Sequence, residues 1–242
     1  MATVNEHYET HLGPLYSWMA GGVDASIDRA ASELDELAVK GGLGDVAVDL
    51  GCGFGMYAIP LARRGFSVLA IDSCAALLGQ LQSARGALPV RTVQGDLLEF
   101  RRHLSAPAAL VMCMGDTITH LGDVLSVARL INEVAHSLTP NGCFVISLRN
   151  YCGGRAGEKR SIPVRNDDDR ALTCFLEYGD STVTVHDILY EREASLWRRR
   201  ASSYEKLRLS PQFLIDLLQA EGLSVRQEAG LAGMVRMVAR RV

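Results

Sequence analysis

From residue 46 onward, short unbroken apolar runs alternate with longer stretches in which apolar residues recur every three or four positions. Val46-Ala47-Val48-Asp49-Leu50 has the length and composition of a buried strand, and helical spacing follows from Phe54 to about Arg64. Ser67 to Ile71 is a second run, followed by a helix through Leu77 and Leu81, and 90–94, 108–113 and 143–148 supply three more. Between the last two, Val124, Val127, Leu130, Ile131 and Val134 share one helix face, which Pro140-Asn141-Gly142 brings to an end. Crossovers of this length between apolar strands predict a parallel sheet with helices on both faces, a doubly wound α/β architecture. Ligands of such sheets bind beyond the carboxyl ends of the strands.

Two regions break the alternation. Residues 1–40 carry helical patterns (Leu12, Leu15, Tyr16 and Met19, then Ile27, Leu34 and Leu37). Residues 151–209 open with a polar loop from Gly153 to Asp169, and then alternate at 171–178, 181–190 and 194–207, which predicts a small antiparallel sheet inserted after the fifth strand. A helix from Pro211 to about Ala220, capped by Ser210, and strands at 224–228 and 234–240 return the chain to the main sheet. The expected fold is a mostly parallel seven-stranded sheet divided as 1–40 (N-terminal helices), 41–150 (core), 151–209 (insert) and 210–242 (C-terminal helix and final strands).

Composition narrows the picture little. The chain is 48% hydrophobic and 22% charged, with a formal net charge of −3, which weighs against a nucleic-acid partner. Arg198 to Arg200 are flanked by Glu191, Glu193 and Glu205, the pattern of a solvated strand. No stretch approaches the ~18 apolar residues of a membrane span, and the first residues lack secretory features. The six cysteines form no C-x-x-C pair and read as buried thiols of a reducing compartment, so the cytoplasm is expected. His7 and His11 lie one helical turn apart, but no third ligand is near in sequence, and no metal is expected.

The chemistry gathers at strand ends. In Val48-Asp49-Leu50-Gly51-Cys52-Gly53-Phe54-Gly55, glycines let the backbone approach a nucleotide cofactor and turn into a helix. A dehydrogenase fingerprint needs Gly or Ala where Met56 stands. Asp49 would also repel a pyrophosphate and attract a cationic cofactor. Asp72 ends the second strand, where a carboxylate can accept ribose hydroxyls or cap the next helix. Asp96 and Leu97 follow the third, placed for an adenine amino group and ring, with an N-cap again the plain alternative.

On these residues the core resembles the class I S-adenosylmethionine-dependent methyltransferases, over about 46–150 and more loosely 205–241. The resemblance implies a Rossmann-like fold with S-adenosylmethionine as cofactor. It places the methionine end at Asp49, Gly51 and Gly53, the ribose at Asp72 and the adenine at Asp96 and Leu97, with Met112 in the cofactor set as well. Met112-Cys113-Met114-Gly115-Asp116-Thr117-Ile118-Thr119-His120-Leu121, Arg149-Asn150-Tyr151 and Ser203-Tyr204-Glu205-Lys206-Leu207-Arg208-Leu209 are similar to segments of glycine and sarcosine N-methyltransferases. In that group the arginine holds the substrate carboxylate, an asparagine stands where this chain has Asp116, and the N-terminal region around Tyr16 and Trp18 covers the active site. An ionised Asp116 would favour an ammonium, or pair with Arg149, so the expected substrate is a small amine or amino-acid-like compound other than glycine.

Methyl transfer needs the nucleophile aligned with the methyl carbon and water excluded, and a hydroxyl acceptor also needs a base. Asp116, His120 and Arg149 are the expected catalytic set, with Tyr16, Trp18, Tyr151 and His186 on the substrate. The alternatives are O-methylation of a small acid or phenol, and a non-catalytic cofactor-binding subunit. The Asp/Asn-Pro-Pro-aromatic segment of nucleic-acid methyltransferases is missing after the fourth strand. The sequence leaves a homo-oligomer open.

Overall fold

A computed structural model describes residues 1–42, 44–154, 156–194 and 196–241. The N-terminal pattern folds as a broken path. It runs through α1 (Val4–His7), a π-helical turn (Tyr8–Leu12), a 3-10 turn (Gly13–Leu15), α2 (Tyr16–Met19) and α3 (Val23–Glu36). Pro14 has no N–H to continue a helical ladder, and Gly21 and Gly22 turn the chain at positive φ. Then come β1 (Val46–Leu50), α4 (Ala58–Arg63), β2 (Ser67–Asp72), α5 (Ala75–Arg85), β3 (Val90–Gln94), β4 (Ala108–Cys113), α6 (Val124–Ser137) and β5 (Leu138–Leu148).

The insert is an antiparallel meander, β6 (Ser161–Asn166), β7 (Arg170–Tyr178), β8 (Thr182–Glu193) and β9 (Leu196–Leu207). After α7 (Pro211–Ala220), β10 (Leu223–Ala229) and β11 (Val235–Arg241) close the main sheet. Its seven strands run in the order β10-β11-β5-β4-β1-β2-β3. All pairs are parallel except those made by β11.

Alternate residues of one strand feed opposite cores, as the pleat requires. Val48, Leu50, Val111 and Ile146 pack with Val127, Ile131 and Leu214 on one face. Ala47, Leu110, Met112 and Val145 pack with Ile27, Leu34, Ile59 and Leu81 on the other.

Three expectations shift. The polar loop from Gly153 to Asp169 contains a 3-10 turn (Gly157–Arg160) and the edge strand β6, whose Pro163 is tolerated because it lies at a sheet edge beside a register shift. Arg155 in that loop and Ser195 in the predicted 194–207 strand lie outside the described residues. The helix expected from Phe54 begins at Ala58, because residues 51–57 form the turn that follows β1. Pro140-Asn141-Gly142 does not end a helix: α6 stops at Ser137 and β5 absorbs these residues, with Asn141 at φ 62°.

Candidate active site

A cavity of ≈ 410 Å³ opens beyond the carboxyl ends of β1 to β4, walled on one side by Val4, Asn5, Tyr8 and Tyr16 of the N-terminal path. Gly51 leaves β1 at φ 71°, and a Cβ there would strike the side chain of Thr117. Gly55, at φ 92°, sits against Leu81 with no room for one. Only glycine meets both demands.

Asp72 fastens this turn. One carboxylate oxygen accepts from Gly53 N–H at 2.7 Å and the other from Cys74 N–H at 2.9 Å, so β2 holds the glycine turn and the entry to α5 together. Burial raises its pKa, and these backbone donors oppose the rise. The carboxylate lines the cavity with lone pairs to spare. Asp96 caps the 3-10 helix (Leu97–His103) through Leu98 N–H at 2.9 Å and faces the same cavity with Leu97, so cap and cavity wall are one residue.

Asp49 is 2% exposed, and its Oδ2 has no hydrogen-bond partner. Burial, with a smaller push from Asp72, raises its pKa to about 7. A buried carboxylate oxygen left unpaired beside a glycine cradle fits a ligand that brings its own cation.

On the acceptor side, His120 lines the cavity between the rings of Tyr8 and Tyr204, at centroid distances of 5.5 and 5.7 Å. Its Nε2 is buried without a partner. Burial, reinforced by the Lys206 charge, lowers its pKa well below the ordinary value, so the ring is a neutral acceptor. Met114 and Thr117 complete this end.

Several expected side chains stand elsewhere. Asp116, at φ 77°, is sealed from the cavity by three donors: Lys206 Nζ at 2.7 Å, Tyr151 Oη at 2.8 Å and Arg149 N–H at 2.9 Å. The chain thus supplies the ammonium that Asp116 was expected to draw from a substrate, and Tyr151 is spent on the same carboxylate. Arg149 neither pairs its guanidinium with Asp116 nor lines the cavity. That group donates to Ala232 C=O at 3.1 Å, because the β10–β11 turn lies beside it.

Met112 is wholly buried among the helices behind the sheet, since the pleat turns it away from the strand end, and Met114 takes the cavity position. Trp18 Nε1–H donates to Asp167 under the guanidinium of Arg170, fastening the N-terminal path to the insert rather than lining the cavity. His186 is held by Ser203 at 2.7 Å and Glu177 at 2.5 Å, away from the cavity. His7, considered above beside His11, uses both ring nitrogens on Asp187 and Ser202, at 3.0 and 2.8 Å.

Sequence reasoning missed Lys206. Its signal was the alternation of β9: Tyr204 faces inward, so Lys206, two residues on, must face inward too, and a buried lysine needs a carboxylate.

Residues 47–142 match the model of a methyltransferase domain, and over those residues the chain is similar to such a domain. It is similar to a glycine/sarcosine N-methyltransferase of Halorhodospira halochloris, 30% identical over 44% of this chain and 40% of that protein. It is also similar to a ubiquinone biosynthesis O-methyltransferase of Rickettsia akari, 34% identical over 43% of this chain and 39% of that protein. The matched region thus spans about 40% of the length of these relatives. Over nearly the whole chain the fold is that of the S-adenosylmethionine-bound amino pentose methyltransferase of Micromonospora echinaspora, with a TM-score of 0.75, 20% identity, and 90% and 92% of the two chains covered.

Proposed function

We propose that this protein is an S-adenosylmethionine-dependent methyltransferase that methylates the nitrogen of a small uncharged amine held beneath Tyr8 and Tyr16 and beside His120. The observation that carries the reading is the cavity itself. Asp72 and Asp96 line its cofactor end, Asp49 lies buried two residues before the glycine turn, and an imidazole whose Nε2 has no hydrogen-bond partner stands at the other. When bound, the cofactor would supply a methyl carbon on a cationic sulfur. Asp49 would meet its ammonium, Asp72 the ribose hydroxyls, and Asp96 with Leu97 the adenine.

The remaining work falls to the chain. The aromatic wall excludes water, which keeps an amine lone pair free for attack. Burial keeps His120 unprotonated, so its Nε2 can accept a hydrogen bond from the acceptor's N–H and orient the lone pair for attack.

Among the described residues no arginine or lysine lines the cavity. A carboxylate substrate would find no counter-charge there, which favours a neutral amine over an amino acid. The fold's closeness to an amino pentose methyltransferase supports the same class. A hydroxyl acceptor is the second reading, since the unprotonated His120 could accept a hydrogen bond from it.

Calorimetry with S-adenosylmethionine, S-adenosylhomocysteine and NAD is the first test. Micromolar binding of the first two, without NAD, is expected, and binding of NAD alone would overturn the proposal. In an assay on small amines, His120→Ala should lower turnover by roughly 10²-fold or more with cofactor affinity intact. Unchanged turnover would remove His120 from the mechanism.

A further inference from the structure

A second cavity, of ≈ 370 Å³, lies at the opposite pole of the main sheet, where β1, β2 and β3 begin. Its polar wall is Arg85, Arg91, His103, Ser67 and Ser105, and its floor is apolar, including Val68 and Leu104. No carboxylate lines it.

The two arginines differ from those of this protein that are held in ion pairs. Arg64, Arg101, Arg129, Arg170, Arg200 and Arg236 each meet an Asp or Glu side chain. Arg85 and Arg91 form no ion pair among the described residues, in a chain whose net charge is −3. Instead each guanidinium is fastened by a backbone carbonyl at the cavity's edge. Arg85 Nη1 donates to Leu88 C=O at 3.1 Å, and Arg91 Nη2 donates to the carbonyl of His103.

These bonds orient the side chains and leave their charges unanswered. Arg85 Nε–H is moreover buried with no acceptor. An unsatisfied buried donor on a fixed cation is costly unless an acceptor arrives, and an oxyanion is the acceptor whose geometry a guanidinium matches.

We propose that this cavity binds a small amphipathic oxyanion, a carboxylate or phosphate monoester on an aromatic or aliphatic body. The anionic group would lie against Arg85 and Arg91, with the hydroxyls of Ser67 and Ser105 in reach, and the body would cover the apolar floor. The volume suits a ligand of one ring. The site is separate from the cofactor cavity and shares no lining residue with it.

The test is calorimetry with phenyl phosphate, benzoate and phenol on protein saturated with S-adenosylhomocysteine, which fills the cofactor cavity. At least one of the two oxyanions should bind with a dissociation constant below about 1 mM, and phenol should bind at least about tenfold more weakly. Arg85→Gln with Arg91→Gln should weaken the oxyanion by about tenfold or more, with S-adenosylhomocysteine affinity unchanged. Ser105→Trp, which fills the exposed mouth, gives a second variant if the double one folds poorly, and should abolish binding. Absence of saturable binding by both oxyanions, equal binding of phenol, or binding indifferent to every variant would overturn the proposal. Should S-adenosylhomocysteine itself fail to bind, the methyltransferase reading falls, while the variants still decide whether an oxyanion occupies this cavity.

Discussion

The two halves of the cavity proposed for the cofactor are built by different means. On the cofactor side, carboxylates sit at the ends of successive strands and are fixed by nearby backbone: Asp72 holds Gly53, nineteen residues away, and Asp96 caps Leu98, two away. On the acceptor side, the fixing contacts join distant side chains: Lys206 to Asp116 across 90 positions, Trp18 to Asp167 across 149 and His7 to Asp187 across 180. Backbone donors at strand ends come with the fold and need only an Asp at the right register. Side-chain pairs between the core, the insert and the N-terminal path exist only once all three are assembled.

Substitutions can break or sharpen this contrast. The largest effect is expected at Lys206. Lys206→Ala leaves Asp116 charged and buried without its cation, and should cost about 3–5 kcal/mol of stability in urea unfolding. The Asp116→Asn, Lys206→Met pair should recover most of it. A loss of turnover with stability intact would instead make Lys206 a substrate contact.

Asp49 comes next. Its pKa is about 7 in the folded protein against an ordinary 3.8, so between these values the native state holds a proton that the unfolded chain has released. Stability of the cofactor-free protein should therefore fall as pH rises through that window, by up to about 4 kcal/mol. Asp49→Asn should flatten the slope, measured by chemical denaturation at about pH 4.5 and about pH 8. Affinity for S-adenosylmethionine should move the opposite way, weakening below about pH 7 as the carboxylate protonates.

Asp72→Ala removes both anchors of the glycine turn and should weaken cofactor binding by about 1–3 kcal/mol in calorimetry. Unchanged affinity would refute the ribose assignment. Arg149→Ala should do least, below about 1 kcal/mol in stability, because the side chain makes a single bond to Ala232 C=O outside the cavity. A large rise in KM for the acceptor would restore the anchoring role that the resemblance implied.

Legibility followed the same divide. The seven-stranded sheet, the glycine turn and the carboxylates at Asp49, Asp72 and Asp96 could be read because each is announced within about twenty residues by a strand, a turn or a cap. His120 was found by chemistry and proximity to β4, and the structure places it on the cavity. Asp116 and Arg149 were found as residues but not as partners. A sequence reveals that a charge is present without revealing which distant charge will answer it. Trp18 and His186, expected on the substrate, do not line the cavity: Trp18 is bonded to Asp167 of the insert, and His186 to Ser203 within it. The strand β6 was hidden by its polar, proline-bearing composition, which an exposed edge permits.

By itself, then, the sequence determined the order of strands and helices, the turn that only glycine can make at residues 51 and 55, and the acidic groups at the ends of the first three strands. Periodicity and backbone stereochemistry act locally, so they are written locally. Only the tertiary structure decided that Lys206 neutralises Asp116, that Arg149 turns away, that His120 stays neutral and unpartnered, and that Arg85 and Arg91 face a second cavity with no carboxylate to meet them. Burial and charge pairing belong to the assembled fold, because they depend on which distant segments come to share one low-dielectric space.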